Sequence, residues 1–167
     1  MSDAVDVILA QWRAERPDLD TGPMGLIGRL GRCAAALRAA HEAVFAEFGL
    51  NNGEFDVLAT LRRSGPPFQL SPTALFSALM ITSGTMTHRL QRLEKAGWIT
   101  RRPAVGDGRS LLVELTPAGF TLIDQAVTAH VANQHRLLAG LSTDDRQALD
   151  QGLRGLLALV PSPMQER

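Results

Sequence analysis

The stretch SGTMTHRLQRLEKAGWITRR, residues 83–102, decides the fold. At about 100° per residue, Met86, Leu90 and Leu93 share one side of a helix. His88, Arg92 and Lys95 lie on the other side, flanked by Thr85 and Thr87. Gly97 stops that helix, and the apolar period then falls to two in Trp98-Ile99-Thr100-Arg101-Arg102, which predicts a strand. Residues 103–108 read as a polar turn, and Leu111, Val113 and Leu115 alternate along a second strand. Upstream, Ser71 with Pro72 opens a short helix to about Leu79, and Thr82 or Ser83 opens the next. Two closely spaced short helices followed by a hairpin predict a helix-turn-helix with a β-hairpin wing.

Longer helices flank this segment. Val5, Ile8, Leu9 and Trp12 define a short amphipathic helix over 3–15, ended by Pro17. A helix from Pro23 to Phe48 carries Ile27, Leu30, Ala34, Leu37, His41, Val44 and Phe48 at alternating three- and four-residue steps, the pattern of helix association. Asn51 and Glu54 form a capping box for a helix over 52–64, closed by Gly65-Pro66-Pro67. Thr116-Pro117 caps a long helix to about Gly140, and Ser142 with Asp145 caps a last one ending near Val160. The fold expected is mainly α with a small β-hairpin wing. Residues 1–20 form an extra helix and connector, 51–116 the winged helix-turn-helix, and 21–50 with 117–167 a helical dimerisation region.

At 167 residues, 45% hydrophobic and 20% charged, the chain is long enough to bury a core and too apolar for disorder. No apolar run approaches the roughly 18 residues that span a bilayer, so no membrane partner is expected. Asp3 and Asp6 stand where a signal peptide would be basic, and the single Cys33 fits a reducing cytoplasm. The formal net charge of zero hides an uneven distribution. Residues 83–112 carry six cations against Glu94 and Asp107, whereas residues 1–20 carry five acids against Arg13 and Arg16. There is no nucleophile elbow, P-loop or dinucleotide fingerprint, so no enzyme and no cofactor are expected. His130 and His135 are five apart, which misses the helical spacing of a metal pair.

The outward face of the 83–96 helix suits a major groove, where small polar and basic side chains meet base edges and phosphates. The candidate double-stranded DNA contacts are Ser71, Thr73, Ser83, Thr85, Thr87, His88, Arg92 and Lys95. Asp107 and Arg109 join them at the hairpin tip, where an arginine can enter the minor groove and the aspartate can hold it by a charge-assisted hydrogen bond. The alternative is a solvated charged face on a winged-helix module that contacts proteins and not DNA.

Leu93-Glu94-Lys95-Ala96-Gly97-Trp98-Ile99-Thr100-Arg101, Asp107-Gly108-Arg109 and Leu115-Thr116-Pro117-Ala118-Gly119 together resemble the MarR family of bacterial regulators, from about Met24 to Val160. The resemblance implies a homodimer joined by its long terminal helices, with Leu153, Leu156, Leu157 and Val160 in the seam. It also implies a palindromic operator and repression relieved by a small anionic ligand. The segment Trp12-Arg13-Ala14-Glu15-Arg16-Pro17-Asp18-Leu19-Asp20 is similar to the start of the urate-responsive subfamily. That likeness implies a planar anionic effector, purine or aromatic acid, held by Trp12, Asp56, Arg89 and Arg101. An aromatic face with guanidinium donors suits such a ligand, and Arg89 lies toward the core side of its helix, nearer Leu93 than Arg92 does. Some MarR relatives instead sense oxidants through a cysteine on an early helix. Cys33 is the residue for that alternative, although its neighbours Ala34, Ala35 and Ala36 offer nothing to activate a thiol.

Overall fold

Asp3 starts the first helix by accepting the backbone N–H groups of Val5 and Asp6 at 2.8 and 3.0 Å, and Asp6 returns the bond to the N–H of Asp3. In this computed structural model, which describes residues 2–79, 83–104 and 107–160 without the side chains of 83–85, 104 and 107–110, α1 spans Ala4–Glu15 and α2 Gly22–Ala46. The chain divides into two compact units, Met1–Ala43 and Val44–Arg167.

Within the first unit, Val5 and Leu9 are the buried residues of α1, and α2 meets them with glycines. A methyl group on Gly25 would come within 2.9 Å of Leu9 Cδ1, so the missing side chain sets how closely the helices approach. Arg29 of α2 reaches back to the cap of α1, with Nε 2.7 Å from Asp3 Oδ2 and Nη2 bonded to Asp6 Oδ1. The Arg29 guanidinium, helped by the Asp6 and Val5 N–H groups, holds the Asp3 carboxyl down at about 2 from an ordinary 3.8. Asp6 is lowered by the N–H of Asp3 and then by Arg29.

This clamp has a pH signature. A carboxyl depressed in the folded state stabilises fully above its unfolded value and loses that contribution as pH falls toward the folded one. Acidification from about 4 to 2 is therefore expected to loosen α1, followed as a change in Trp12 fluorescence in a Trp98→Phe protein. Arg29→Gln should abolish that step; a wild-type signal flat to pH 2 would refute the clamp.

The second unit contains α3 (Asn52–Arg63), β1 (Gln69–Leu70), α4 (Pro72–Leu79), α5 (Ser83–Lys95), β2 (Ile99–Ala104), β3 (Asp107–Leu115), α6 (Pro117–Leu137) and α7 (Thr143–Leu159). The expected caps are in place: Asn51 and Glu54 form the capping box of α3, and Thr116 and Ser142 cap α6 and α7. The core gathers Phe55, Val57, Leu58 and Leu61 of α3, Leu75 of α4, Met86, Leu90 and Leu93 of α5, and Ile123 and Ala126 of α6. Ile99, Val113 and Leu115 close it from the sheet. Burying each such leucine contributes about 1.5–3 kcal/mol.

The antiparallel sheet has the order β1-β3-β2, with Leu70 opposite Val113 and Ile99 opposite Leu115. Two features differ from expectation. β1 was not legible, because two residues show no alternation. The turn expected over 103–108 is shorter, since Pro103 and Ala104 belong to β2 and Asp107 opens β3. Pro103, which lacks an N–H, is tolerated because β2 is an edge strand, and the ladder shifts register directly after it. At the other edge, Arg62 of α3 sits 4.5 Å over the Phe120 ring and 5.3 Å over Phe68 while its Nε bonds Asp124 at 2.6 Å, tying α3 to α6. Capped short helices, a hairpin behind them and a common apolar core make this a winged helix-turn-helix.

Candidate nucleic-acid interface

Met86 and Leu93 are completely buried and Leu90 nearly so, and this one-sided burial fixes which face of α5 points away from the core. Thr87, His88, Arg92 and Lys95 are all exposed. Thr73 of α4 is exposed as well, and Ser71 accepts the N–H of Ala74 at 3.1 Å, which makes it the cap of α4. The side chains of Ser83, Thr85, Asp107 and Arg109 lie outside the described residues. On the wing, Arg102 is exposed and its Nε stands 3.4 Å from Glu114.

The start of α3 faces α5. Arg92 Nε is 2.8 Å from Glu54 Oε1, with the arginine side chain 68% exposed and the glutamate only 3%. One turn earlier on α5, the half-buried Arg89 lies across Gly53: a β-carbon there would stand 2.3 Å from Arg89 Cζ and Nε. Nη1 of Arg89 is shielded from solvent with no hydrogen-bond partner among the described residues. A buried guanidinium donor without an acceptor is costly, and here it stands beside the electropositive first turn of a helix.

The four residues expected at an effector site are placed as follows. Trp12 is exposed on α1 in the first unit. Asp56 is exposed on the first turns of α3. Arg101 of β2 donates through Nε and Nη2 to Glu94 Oε2, the former at 3.0 Å. Its carboxylate partner is thus the last turn of α5, a residue that the periodicity had not singled out. Gly53 and the buried role of Glu54 were also missed. The capping box was visible in the sequence, but a contact 38 positions away leaves no local trace.

Among the described residues, no three His, Cys, Asp or Glu side chains gather as a metal site requires, and no helix is long and apolar enough to cross a membrane. Cys33 is exposed on α2.

Fold and site together define a winged helix-turn-helix regulator. The MarR family model matches residues 50–111, from the capping box of α3 to the second strand of the wing. The HTH-type transcriptional regulator PecS of Dickeya dadantii is 46% identical over 93% of this chain and 92% of its own length. The transcriptional repressor MprA of Escherichia coli is 31% identical over 71% of this chain and 66% of its own. A crystal structure of Sco3205, a MarR family regulator from Streptomyces coelicolor in complex with DNA, superposes with a TM-score of 0.76 at 22% identity, covering 88% of this chain and 93% of that one. The chain belongs to the MarR family. It is therefore a DNA-binding transcriptional regulator and not an enzyme.

Proposed function

We propose that this regulator is a homodimeric repressor that reads a palindromic operator with α5 and its wing and releases it when a small planar anion binds beside Arg89. The observation that carries the DNA half is the division of α5 into a buried apolar side and an exposed side bearing Thr87, His88, Arg92 and Lys95. The sequence adds Ser83, Thr85, Asp107 and Arg109 to that surface, and Ser71 and Thr73 beside it. MprA, which is similar to this chain, is a repressor, and Sco3205 was solved with DNA.

Dimerisation is supported by α7, none of whose residues is buried within one chain. Leu149, Leu153, Leu157 and Val160 form an apolar stripe between 36% and 75% exposed, which a lone subunit would leave in water. In the first unit, Ile27 and Leu37 of α2 are also exposed. The stripe expected over 27–48 is divided, however, because Val44 and Phe48 belong to the core of the second unit.

The ligand half rests on Arg89, whose shielded Nη1 has no acceptor among the described residues, a place that an anion would fill. Resemblance to the urate-responsive subfamily adds Trp12, Asp56 and Arg101 to the ligand, a urate-like purine or an aromatic acid. Because Arg89 belongs to α5, binding there would shift the reading helix itself. Such a regulator works in the cytoplasm.

The test is operator binding against salt, on a duplex selected from bound genomic fragments. Arg109→Ala is expected to weaken binding about tenfold and to make the salt slope shallower by about one. Urate, xanthine or a small aromatic acid should release the wild type from DNA, and Arg89→Ala should resist release. Failure of the wild type to bind duplex DNA at low salt would leave a protein-contact module in place of a repressor.

A further inference from the structure

We infer that Glu54 is a positioning residue for DNA recognition: from the first turn of α3 it holds the Arg92 guanidinium of α5 in the orientation that meets the operator. The inference rests on the assignment of α5 as the reading helix and adds to it a residue that never touches DNA.

The carboxylate is fixed from two sides. Oε2 accepts the backbone N–H of Asn51 at 3.0 Å, which closes the capping box, and Oε1 lies 2.8 Å from Arg92 Nε. Glu54 is 2% exposed, and its neighbours in sequence, Phe55 and Val57, are in the core, so the anion cannot swing away with its partner. A buried carboxylate without a counter-charge would be unfavourable, and here the Arg92 guanidinium stands against it at the first turn of α3.

The effect on Arg92 is asymmetric. Contact through Nε occupies one edge of the planar fork, while the side chain remains 68% exposed. A free surface arginine samples many rotamers and must be ordered when it meets a base or phosphate. One already held by a rigid acceptor loses less freedom on binding, and its plane is aimed before DNA arrives. Bidentate recognition of a base edge depends on that plane, whereas attraction to the phosphate backbone depends only on charge. Glu54 should therefore act on selectivity more than on general affinity.

Glu54→Gln keeps an acceptor for the capping box and removes the charge. We expect it to weaken operator binding about tenfold, a loss of the size of one bidentate base contact. Binding to unrelated duplex DNA should be unchanged or slightly tighter, because an anion has been removed from a basic face, so the selectivity ratio falls. In an Arg92→Ala background, adding Glu54→Gln should change operator affinity by less than about twofold, because the interaction is already gone. Unchanged or tighter operator binding by the single variant overturns the inference, the latter by showing that Glu54 restrains Arg92. Independent, additive losses in the double variant overturn it too, by reducing Glu54 to a fold-stabilising cap. A wild type that binds no operator removes the reading-helix assignment itself, and is distinguishable because no variant comparison then has a baseline.

Discussion

Gly119→Ala is expected to destabilise the winged-helix unit by roughly 3 kcal/mol, at the upper end of overpacking effects. A β-carbon at Gly119 would fall 1.9 Å from the carbonyl oxygen of Trp98 and 2.8 Å from its carbonyl carbon. Those are backbone atoms, so no rotamer change relieves the clash. The junction is also tightly bonded: the Thr116 N–H donates to Trp98 O at 3.1 Å, Thr116 Oγ1 donates to Gly97 O at 2.7 Å, and the Gly119 N–H donates to Thr116 Oγ1 at 3.0 Å. Separating α6 from the start of β2 would break these bonds and move the wing. Urea unfolding measures the effect. Gly155 of α7 is the control, since a β-carbon there meets nothing within 4 Å and alanine should stabilise that helix by up to about 1 kcal/mol. A Gly119→Ala midpoint equal to wild type would show that the helix–strand junction is far looser than these distances require.

Leu93→Ala should cost about 3 kcal/mol and weaken operator binding as well. Leu93 has no exposed surface and belongs to the same core as Leu58, Leu61 and Val113. Truncation leaves a cavity under α5, and its backbone carbonyl also accepts the Trp98 N–H at 3.0 Å, at the turn into the wing. Loosening that point separates reading helix from wing. Lys95→Ala provides the opposite dissociation. Its exposed side chain should leave the unfolding midpoint within about 0.5 kcal/mol of wild type while lowering DNA affinity in a salt-dependent way. Equal stability losses in the two variants would mean that the inward and outward faces of α5 have been assigned wrongly.

The two faces show what residue order carries. The spacing of Met86, Leu90 and Leu93 predicts their burial without knowledge of any neighbour, and all three are in the core. The caps at Asn51, Thr116 and Ser142 were equally legible, because each is a bond between residues three apart, whereas the cap at Asp3 was not read from the sequence. The short β1, whose residues pair with ones 43 and 45 positions later, left no such signature.

Residue order by itself determined the helices and the wing hairpin, the caps at Asn51, Thr116 and Ser142, the inward side of α5 and the basic character of its outward side, because helical period and capping act over one or two turns. Tertiary structure alone decided that Arg92 meets Glu54, that Arg89 lies over Gly53, that Arg101 pairs with Glu94, and that Gly119 stands against Trp98. The reason is geometric. The end of a long side chain finds whichever group another element carries to it, and local periodicity holds no information about that arrival.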